Sequence, residues 1–233
     1  MDEILDYLAL PPLDIAAVVT CLMCWSGYFL YADHYRRGSR NLMTVMHAYR
    51  VKWMERMINR DVRIGDTNIV MALNRSNQLF ASTSVVVVAG LVTVLGALDK
   101  ARMLSSHLSF VSDAPREVWE VKLLAMIVVF VYAFFKFIWS LRQFNFALQL
   151  IGAAPAHDDP GAPDRATFPA RAARIITLGV DTFNAGVRGY YFGLAMMSWF
   201  VHPYVFIIAS VWVVLVLYRR EFRSKTLATL LQK

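Results

Sequence analysis

The sequence predicts an all-α integral membrane protein, a polytopic bundle of four transmembrane helices with amphipathic helices on the cytoplasmic side. Hydrophobic residues make up 58% of the 233 residues and charged residues only 18%, whereas soluble domains carry about 25% charged residues. Four apolar runs are long enough to cross the roughly 30 Å hydrocarbon core of a bilayer. Most charges flank these runs, as membrane topology requires. The pattern therefore predicts a single membrane domain over residues 1–233.

The first span is predicted over residues 13–31, with Asp14 at its mouth. The residues before it are acidic rather than basic, so we expect a retained helix and not a cleaved signal peptide. Cys21 and Cys24 lie one helical turn apart inside this span. No second cysteine pair completes a zinc site, so we interpret them as small packing residues.

A basic segment follows over residues 33–78, with nine Lys and Arg residues against four acidic ones. Within it, apolar side chains fall on one stripe of a helix: Leu42, Met46, Tyr49, Trp53 and Met57. Such a helix either lies in the headgroup plane, with its basic residues toward anionic lipid, or packs back on the bundle. The sequence fits both interpretations equally.

The second span is predicted over residues 79–98, which are rich in small residues that let helices approach closely in lipid. The loop over residues 99–122 carries four basic and four acidic residues, so it gives no signal of orientation. Pro115 and the acidic residues after it are typical of a helix N-terminus. They predict that the next helix starts there.

The third span, over residues 122–142, carries Lys136 deep in an apolar run. A charge at mid-bilayer costs at least about 2.5 kcal/mol, so it normally faces protein or water. On an ideal helix Trp139 and Gln143 share the face of Lys136, and a second polar strip containing Arg142 and Asn145 lies on another side. A helix with polar strips on two sides does not turn either strip toward lipid.

A flexible or irregular linker is predicted over residues 153–169, where prolines and aspartates replace the apolar pattern. The last apolar run covers residues 190–218 and is interrupted at His202 and Pro203. As one straight helix it would reach about 43 Å, longer than the hydrocarbon core. It therefore either kinks at Pro203 or forms a re-entrant hairpin. We favour the kinked span, because neither half carries the Gly or Asn that is usual at such turns.

Charge counting places the N-terminus outside and residues 33–78 in the cytoplasm, and we expect a bacterial inner membrane. With four spans the C-terminus lies outside. The tail after Tyr218 is basic, however, and a hairpin at Pro203 would return it to the inside. The kinked span thus conflicts with the positive-inside rule at this one point.

Polar residues of the second, third and fourth spans converge at the predicted cytoplasmic boundary. We interpret them as a cationic, amide-lined vestibule or pore for a small anionic solute or a lipid headgroup. The structural alternative is that the Lys136 ammonium reaches the interface along its own stem while the amides hold helices together. The predicted ligand-binding or pore-lining residues are Lys136, Trp139, Arg142, Gln143, Asn145, Asn77, Arg75, Asn184 and Arg188.

No catalytic, metal-binding or cofactor-binding motif is present. The five histidines lie in different segments, without the spacing of a metal-binding pair, and there is no P-loop or Rossmann fingerprint. We therefore predict no catalytic residue, no metal, no cofactor and no enzymatic activity. A lipid-modifying enzyme that uses Asp181 with His47 is the weakest hypothesis. Nucleic acid is not an expected partner, because the basic residues follow the ends of the apolar runs.

The function that this pattern favours is a channel-like or transport role for a small anionic solute. Four spans rarely enclose a pathway alone, so we expect a homo-oligomer in the lipid bilayer, with anionic lipid headgroups as further partners. The alternative is a non-catalytic accessory or scaffold subunit of a membrane complex. A foreign partner in fixed stoichiometry would distinguish the second from the first.

Several segments of the chain form a recognisable combination: YAFFKFIWSLRQFNF with IGAAP after it, HAYRVKWMERM, FASTS, FNAGVRGYYFGLAMMSWFVHP and LYRREFRS. Together they resemble a family catalogued as domain of unknown function 599, membrane proteins of bacteria and plants. The resemblance covers about residues 10–230. It implies a four-span membrane protein without an established activity, and it transfers no catalytic residue.

Overall fold

The computed structural model describes residues 10–36, 41–105, 114–159 and 161–231. These residues contain helices and no strand, which confirms the all-α prediction. The α-helices are α1 (Pro12–Arg36), α2 (Leu42–Met57), α3 (Ile64–Gly96), α4 (Leu98–Ser105), α5 (Arg116–Gly152), α6 (Phe168–Met197), α7 (Pro203–Phe222) and α8 (Lys225–Leu231), and a 3₁₀ turn covers Ser198–Phe200.

Three of the described helices are long and apolar enough to cross a membrane: α1 over Pro12–Tyr31, α3 and α5. α1 and α5 contain the predicted spans 13–31 and 122–142, and α3 contains the predicted span 79–98 up to Gly96. α3 has 33 residues and α5 has 37, so they are about 50 and 55 Å long. Each helix is therefore longer than a hydrocarbon core of about 30 Å. Most of the additional residues lie at the polar end of the apolar run, before residue 79 in α3 and after residue 142 in α5.

The segment 190–218 does not form one kinked helix, which corrects the preferred sequence prediction. α6 ends before the 3₁₀ turn and α7 starts at Pro203. The Arg220 guanidinium nevertheless donates to the Tyr191 hydroxyl, 29 residues away. A continuous helix would separate these residues by about 43 Å, so the chain reverses direction between them. Pro203 favours the break, because it has no N–H to continue the α6 ladder.

The chain forms two compact units. Unit 1 comprises Met1–Gly38, Ser84–Tyr132 and Arg188–Arg220. Unit 2 comprises Ser39–Thr83, Ala133–Val187 and Glu221–Lys233. The long helices α3, α5 and α6 contribute residues to both.

Unit 1 has an aromatic core. Trp25 of α1 stacks on Phe192 of α6, with ring centroids 5.3 Å apart, and meets Tyr132 of α5 edge-on at 5.4 Å. Glycine sets the spacing of α5 and α6, because a Cβ added at Gly193 would lie 2.8 Å from Cζ of Phe130. The core of this unit is therefore filled by aromatic rings, one of which packs directly on the backbone of a glycine.

Within unit 1, α7 runs parallel to α1. Cys21 hydrogen-bonds Ser210, and further along both helices the rings of Tyr31 and Tyr218 lie 6.2 Å apart. Contacts whose residue numbers rise together on two helices require a parallel arrangement. The C-terminal ends of α1 and α7 therefore lie at the same end of unit 1.

Unit 2 decides between the two interpretations of the amphipathic helix α2. Met54 and Met57 are completely buried, in one cluster with Phe144 of α5 and Ile176 of α6. Of the predicted apolar stripe, Met57 belongs to this cluster and Trp53 packs against it, whereas Tyr49 is 47% exposed. The C-terminal half of α2 therefore packs on the other helices of its unit, as in the second interpretation. Here too glycine sets the distance, since an added Cβ at Gly186 would lie 2.6 Å from Cε1 of Phe137.

The connection between α5 and α6 has no regular structure over residues 153–159 and 161–167, and α6 covers the last two residues of the predicted linker. Arginines bind the carbonyl groups of this connection. Arg63 donates to the carbonyl of Ala154 at 2.8 Å. Arg165 donates to the carbonyl of Ala156 at 2.6 Å and to Asn59 Oδ1 at 2.8 Å. Guanidinium groups at helix C-termini satisfy carbonyls that the helix leaves open. These bonds fasten the connection to the ends of α2 and α5.

Candidate functional site

Two amide side chains of α3 join it to α5 in unit 2. Asn74 Nδ2 donates to Asn145 Oδ1 at 2.9 Å. One turn further, Asn77 Nδ2 donates to the backbone carbonyl of Phe137 at 3.1 Å. Amide bonds of this kind hold helices together where water is scarce. The predicted residues Asn77 and Asn145 thus have defined structural contacts.

An exposed polar strip accompanies these bonds. The Arg142 guanidinium lies over the Trp139 ring, 5.7 Å from its centroid, and both residues are exposed. Asn145 follows Arg142 by three residues on α5, and the exposed Arg75 follows Asn74 on α3. We call Asn74, Arg75, Trp139, Arg142 and Asn145 the α3/α5 strip.

The α3/α5 strip is electropositive. Residues 67–96 of α3 and 121–152 of α5 contain no Asp or Glu. No carboxylate from these stretches therefore neutralises the two guanidinium groups of the strip. At an effective dielectric constant of about 20, opposite unit charges 4 Å apart attract by about 4 kcal/mol. The five side chains of the strip therefore carry two positive charges and no negative charge.

Three amide oxygens of unit 2 are buried without a hydrogen-bond donor among the described residues: Asn74 Oδ1, Asn77 Oδ1 and Gln143 Oε1. The orientation of Asn77 is fixed, because its Nδ2 faces a carbonyl oxygen. Asn77 is 0% exposed and Gln143 9%, so neither belongs to the exposed strip. A buried acceptor without a donor costs about 1–3 kcal/mol, and an ordered water or ion is a common explanation.

A second polar contact joins α2 to α6 in unit 2. Thr177 donates its one hydroxyl proton to the Ala173 carbonyl at 2.8 Å. His47 Nδ1 lies 2.9 Å from the same hydroxyl oxygen, and Arg50 donates to it at 3.4 Å. The donor of the His47–Thr177 bond depends on the tautomer of the imidazole. Asp181, which we paired with His47, lies one turn further along α6 and has a contact of its own.

The remaining predicted residues lie elsewhere. Asn184 Nδ2 contacts Met43 Sδ of α2 at 3.5 Å, so it belongs to the α2/α6 contact. Arg188 lies in unit 1, with its guanidinium 5.4 Å from the centroid of the buried Tyr28 ring. Lys136 is half-buried and has a contact of its own. Within unit 2 the structure thus brings part of the predicted set together and distributes the rest over other contacts.

The sequence analysis missed a buried ion pair in unit 1. Lys122 is 2% and Asp14 6% exposed, and Lys122 Nζ lies 3.5 Å from Asp14 Oδ1. The same carboxylate oxygen accepts the indole N–H of Trp199 at 2.5 Å. The sequence feature that could have indicated this ion pair is an acidic residue at the start of one apolar run and a lysine at the start of another.

The Lys122 ammonium also caps the 3₁₀ turn that follows α6. It donates to the backbone carbonyl of Trp199 at 3.0 Å. In a continuous helix that carbonyl would accept the N–H of residue 203, but Pro203 has none. The ammonium replaces the missing donor, and its charge opposes the negative end of the α6 dipole. The ion pair therefore fixes the chain reversal against α1 and α5.

Among the described residues, no group of three or more His, Cys, Asp or Glu side chains is placed to hold a metal ion. The polar groups that converge are amides, guanidinium groups, an imidazole and hydroxyls. Such groups bind anions and hydrogen-bonding solutes.

The helices and their polar contacts define an integral membrane protein of the helical-bundle class. The model of a family described as "Protein of unknown function, DUF599" matches residues 16–226. The chain belongs to this family, which confirms the resemblance found in the sequence. No similar protein was found among curated proteins, and none among solved structures.

Proposed function

We propose that the protein is a non-enzymatic membrane protein that transports a small anionic solute, as a channel or transporter built from several copies. The observation that carries this proposal is the α3/α5 strip of unit 2. It exposes two guanidinium groups, the Trp139 ring and the Asn145 amide, with the half-buried Asn74 beside them, on helices that are long enough to cross the bilayer. An anion in contact with the strip would gain charge-assisted hydrogen bonds from Arg75 and Arg142.

The packing of each unit supports the proposal of several copies. Between α5 and α6, phenyl rings lie directly on glycine backbone, at Gly186 in unit 2 and at Gly193 in unit 1. These contacts leave no room for a solute between the two helices. The strip, in contrast, is exposed on one copy, so a second copy that covered it would complete a pathway.

Replacing Arg142 or Arg75 by glutamine should reduce anion flux about tenfold, because a charge-assisted bond to the solute is worth about 1.5–3 kcal/mol. The measurement uses purified protein in liposomes, with chloride and inorganic phosphate as separate probes. The matched control is Arg171→Gln, which removes an equally exposed arginine from α6. Flux of neither probe through the wild-type protein, or equal flux through Arg142→Gln and Arg171→Gln, would contradict the proposal.

A non-catalytic accessory subunit is the competing assignment. Purification from native membranes separates the two, because transport by a homo-oligomer predicts particles that contain this chain alone. A foreign protein that remains bound in fixed stoichiometry, combined with absent flux, would favour the accessory role.

We also propose that the N-terminus lies outside and that both basic segments, residues 33–78 and the tail after Tyr218, face the cytoplasm of a bacterium. The parallel course of α1 and α7 supports this orientation. Each of these helices leads into a basic segment from the same end of unit 1, so the positive-inside rule is satisfied at both. The reversed chain removes the conflict that a single kinked span creates.

Cysteine labelling tests this orientation. In a variant without Cys21 and Cys24, a cysteine at position 230 should react with a membrane-impermeant maleimide only after the cells are permeabilised. A cysteine in place of Lys100, which follows α3, should react in intact cells. Labelling of position 230 in intact cells would show that the tail lies outside and that the proposed orientation is wrong.

A further inference from the structure

An exposed apolar stripe runs along α7 in unit 1. Its members follow helical spacing and are 56–67% exposed: Tyr204, Ile208, Trp212 and Leu215. In a membrane protein, such a stripe faces acyl chains, which are as apolar as the side chains. The stripe therefore marks the lipid-facing side of α7.

Arg219 is the next position on this stripe. It follows Leu215 by four residues and is exposed, so its side chain leaves the helix on the same lipid-facing side. From Tyr204 to Arg219 the helix rises about 22 Å. A guanidinium where an apolar stripe ends lies at the depth of the lipid headgroups.

Tyrosines surround this end of α7. The ring of Tyr218 lies 6.2 Å from that of Tyr31, at the end of the parallel helix α1. Tyrosine is enriched at the membrane–water interface, where its ring meets acyl chains and its hydroxyl meets headgroups. Leu30, beside Tyr31, is 67% exposed. α1 therefore also presents an apolar surface that ends at this level.

Arg220 is held in position beside Arg219. Its guanidinium donates to the Tyr191 hydroxyl and lies 5.7 Å from the centroid of the Tyr191 ring. A side chain that is fixed before binding loses less conformational entropy when a ligand arrives.

We propose that this end of unit 1, formed by Tyr31, Tyr191, Tyr218, Arg219 and Arg220, binds the phosphate group of an anionic phospholipid. The two guanidinium groups pair with the phosphate, the tyrosine hydroxyls complete the polar surface, and the acyl chains lie along the exposed stripes of α1 and α7. The site is separate from the α3/α5 strip, and it does not depend on the transport of a solute.

Lipid retention tests the site. The full-length protein is purified in a neutral detergent, supplied with phosphatidylglycerol or phosphatidylcholine, and examined by native mass spectrometry. The wild-type protein should retain phosphatidylglycerol at least about tenfold better than phosphatidylcholine, because each basic residue near a lipid phosphate contributes about one further factor of five. The double variant Arg219→Gln/Arg220→Gln should lose this preference.

The matched control is Arg171→Gln/Arg174→Gln, which removes two exposed arginines from α6 and should keep the preference. Two results would overturn the proposal. One is equal retention of the two lipids by the wild-type protein or by the double variant and the control. The other is thermal stabilisation by inorganic phosphate that depends on Arg219 and Arg220, which would assign the site to a soluble anion.

Discussion

Replacing Lys122 by methionine should lower the free energy of unfolding by about 3–5 kcal/mol, the cost of removing one partner from a buried ion pair. The change leaves the buried Asp14 carboxylate without its cation and the Trp199 carbonyl without a donor. Pro203 offers no N–H to replace it. The free energy is measured by titrating the purified protein in mixed micelles with a denaturing detergent.

Lys100→Met serves as the control, because Lys100 is exposed and its loss should change stability by less than about 0.5 kcal/mol. The double variant Asp14→Asn/Lys122→Met should recover part of the loss, since no unpaired charge then remains buried. If Lys122→Met were as stable as Lys100→Met, the ion pair would not hold the chain reversal.

Replacing Gly186 by leucine should lower the free energy of unfolding by at least about 3 kcal/mol, because α5 and α6 leave no space for a side chain there. A Cβ alone would lie 2.6 Å from Cε1 of Phe137, so the ring or the helix must move. Adding Phe137→Ala should restore part of the stability by removing the clash. The same detergent titration measures both effects.

Gly90→Ala is the control for helix propensity, and it should raise the free energy of unfolding where Gly186→Leu lowers it. A Cβ at Gly90 meets no atom within 4 Å, and alanine favours a helix over glycine by about 1 kcal/mol. This variant should therefore be slightly more stable than the wild-type protein. A Gly186→Leu variant that unfolds like the wild-type protein would show that α5 and α6 do not approach so closely.

The sequence was sufficient to predict the helices and most of the spans, because they depend on local composition. The apolar runs 13–31 and 122–142 fall inside α1 and α5, and the run 79–98 passes the end of α3 by two residues. The reversal before α7 was harder to predict, since Pro203 is compatible with a kink and with a turn. Only a contact between distant residues, such as that of Arg220 with Tyr191, decides between them.

Only part of the candidate site could be predicted, because it too depends on contacts between distant residues. Periodicity placed Arg142 and Asn145 on one strip of α5, but it carries no information on which neighbouring helix meets each residue. Asn184 turned out to contact α2, and Gln143 is buried. The role of Lys122 could not be predicted for the same reason. A lysine at the start of an apolar run is typical of an anchor at the membrane interface, and the sequence does not show that Asp14 lies beside it.

A density map of the purified particle in lipid nanodiscs tests the central claim, the transport of an anion along the α3/α5 strip, most directly. The proposal predicts several copies whose Arg75, Arg142 and Asn145 side chains line the shared cytoplasmic mouth of a water-filled path through the apolar layer. A particle with one copy, or an assembly in which Arg142 faces lipid or bulk solvent in every copy, would contradict it.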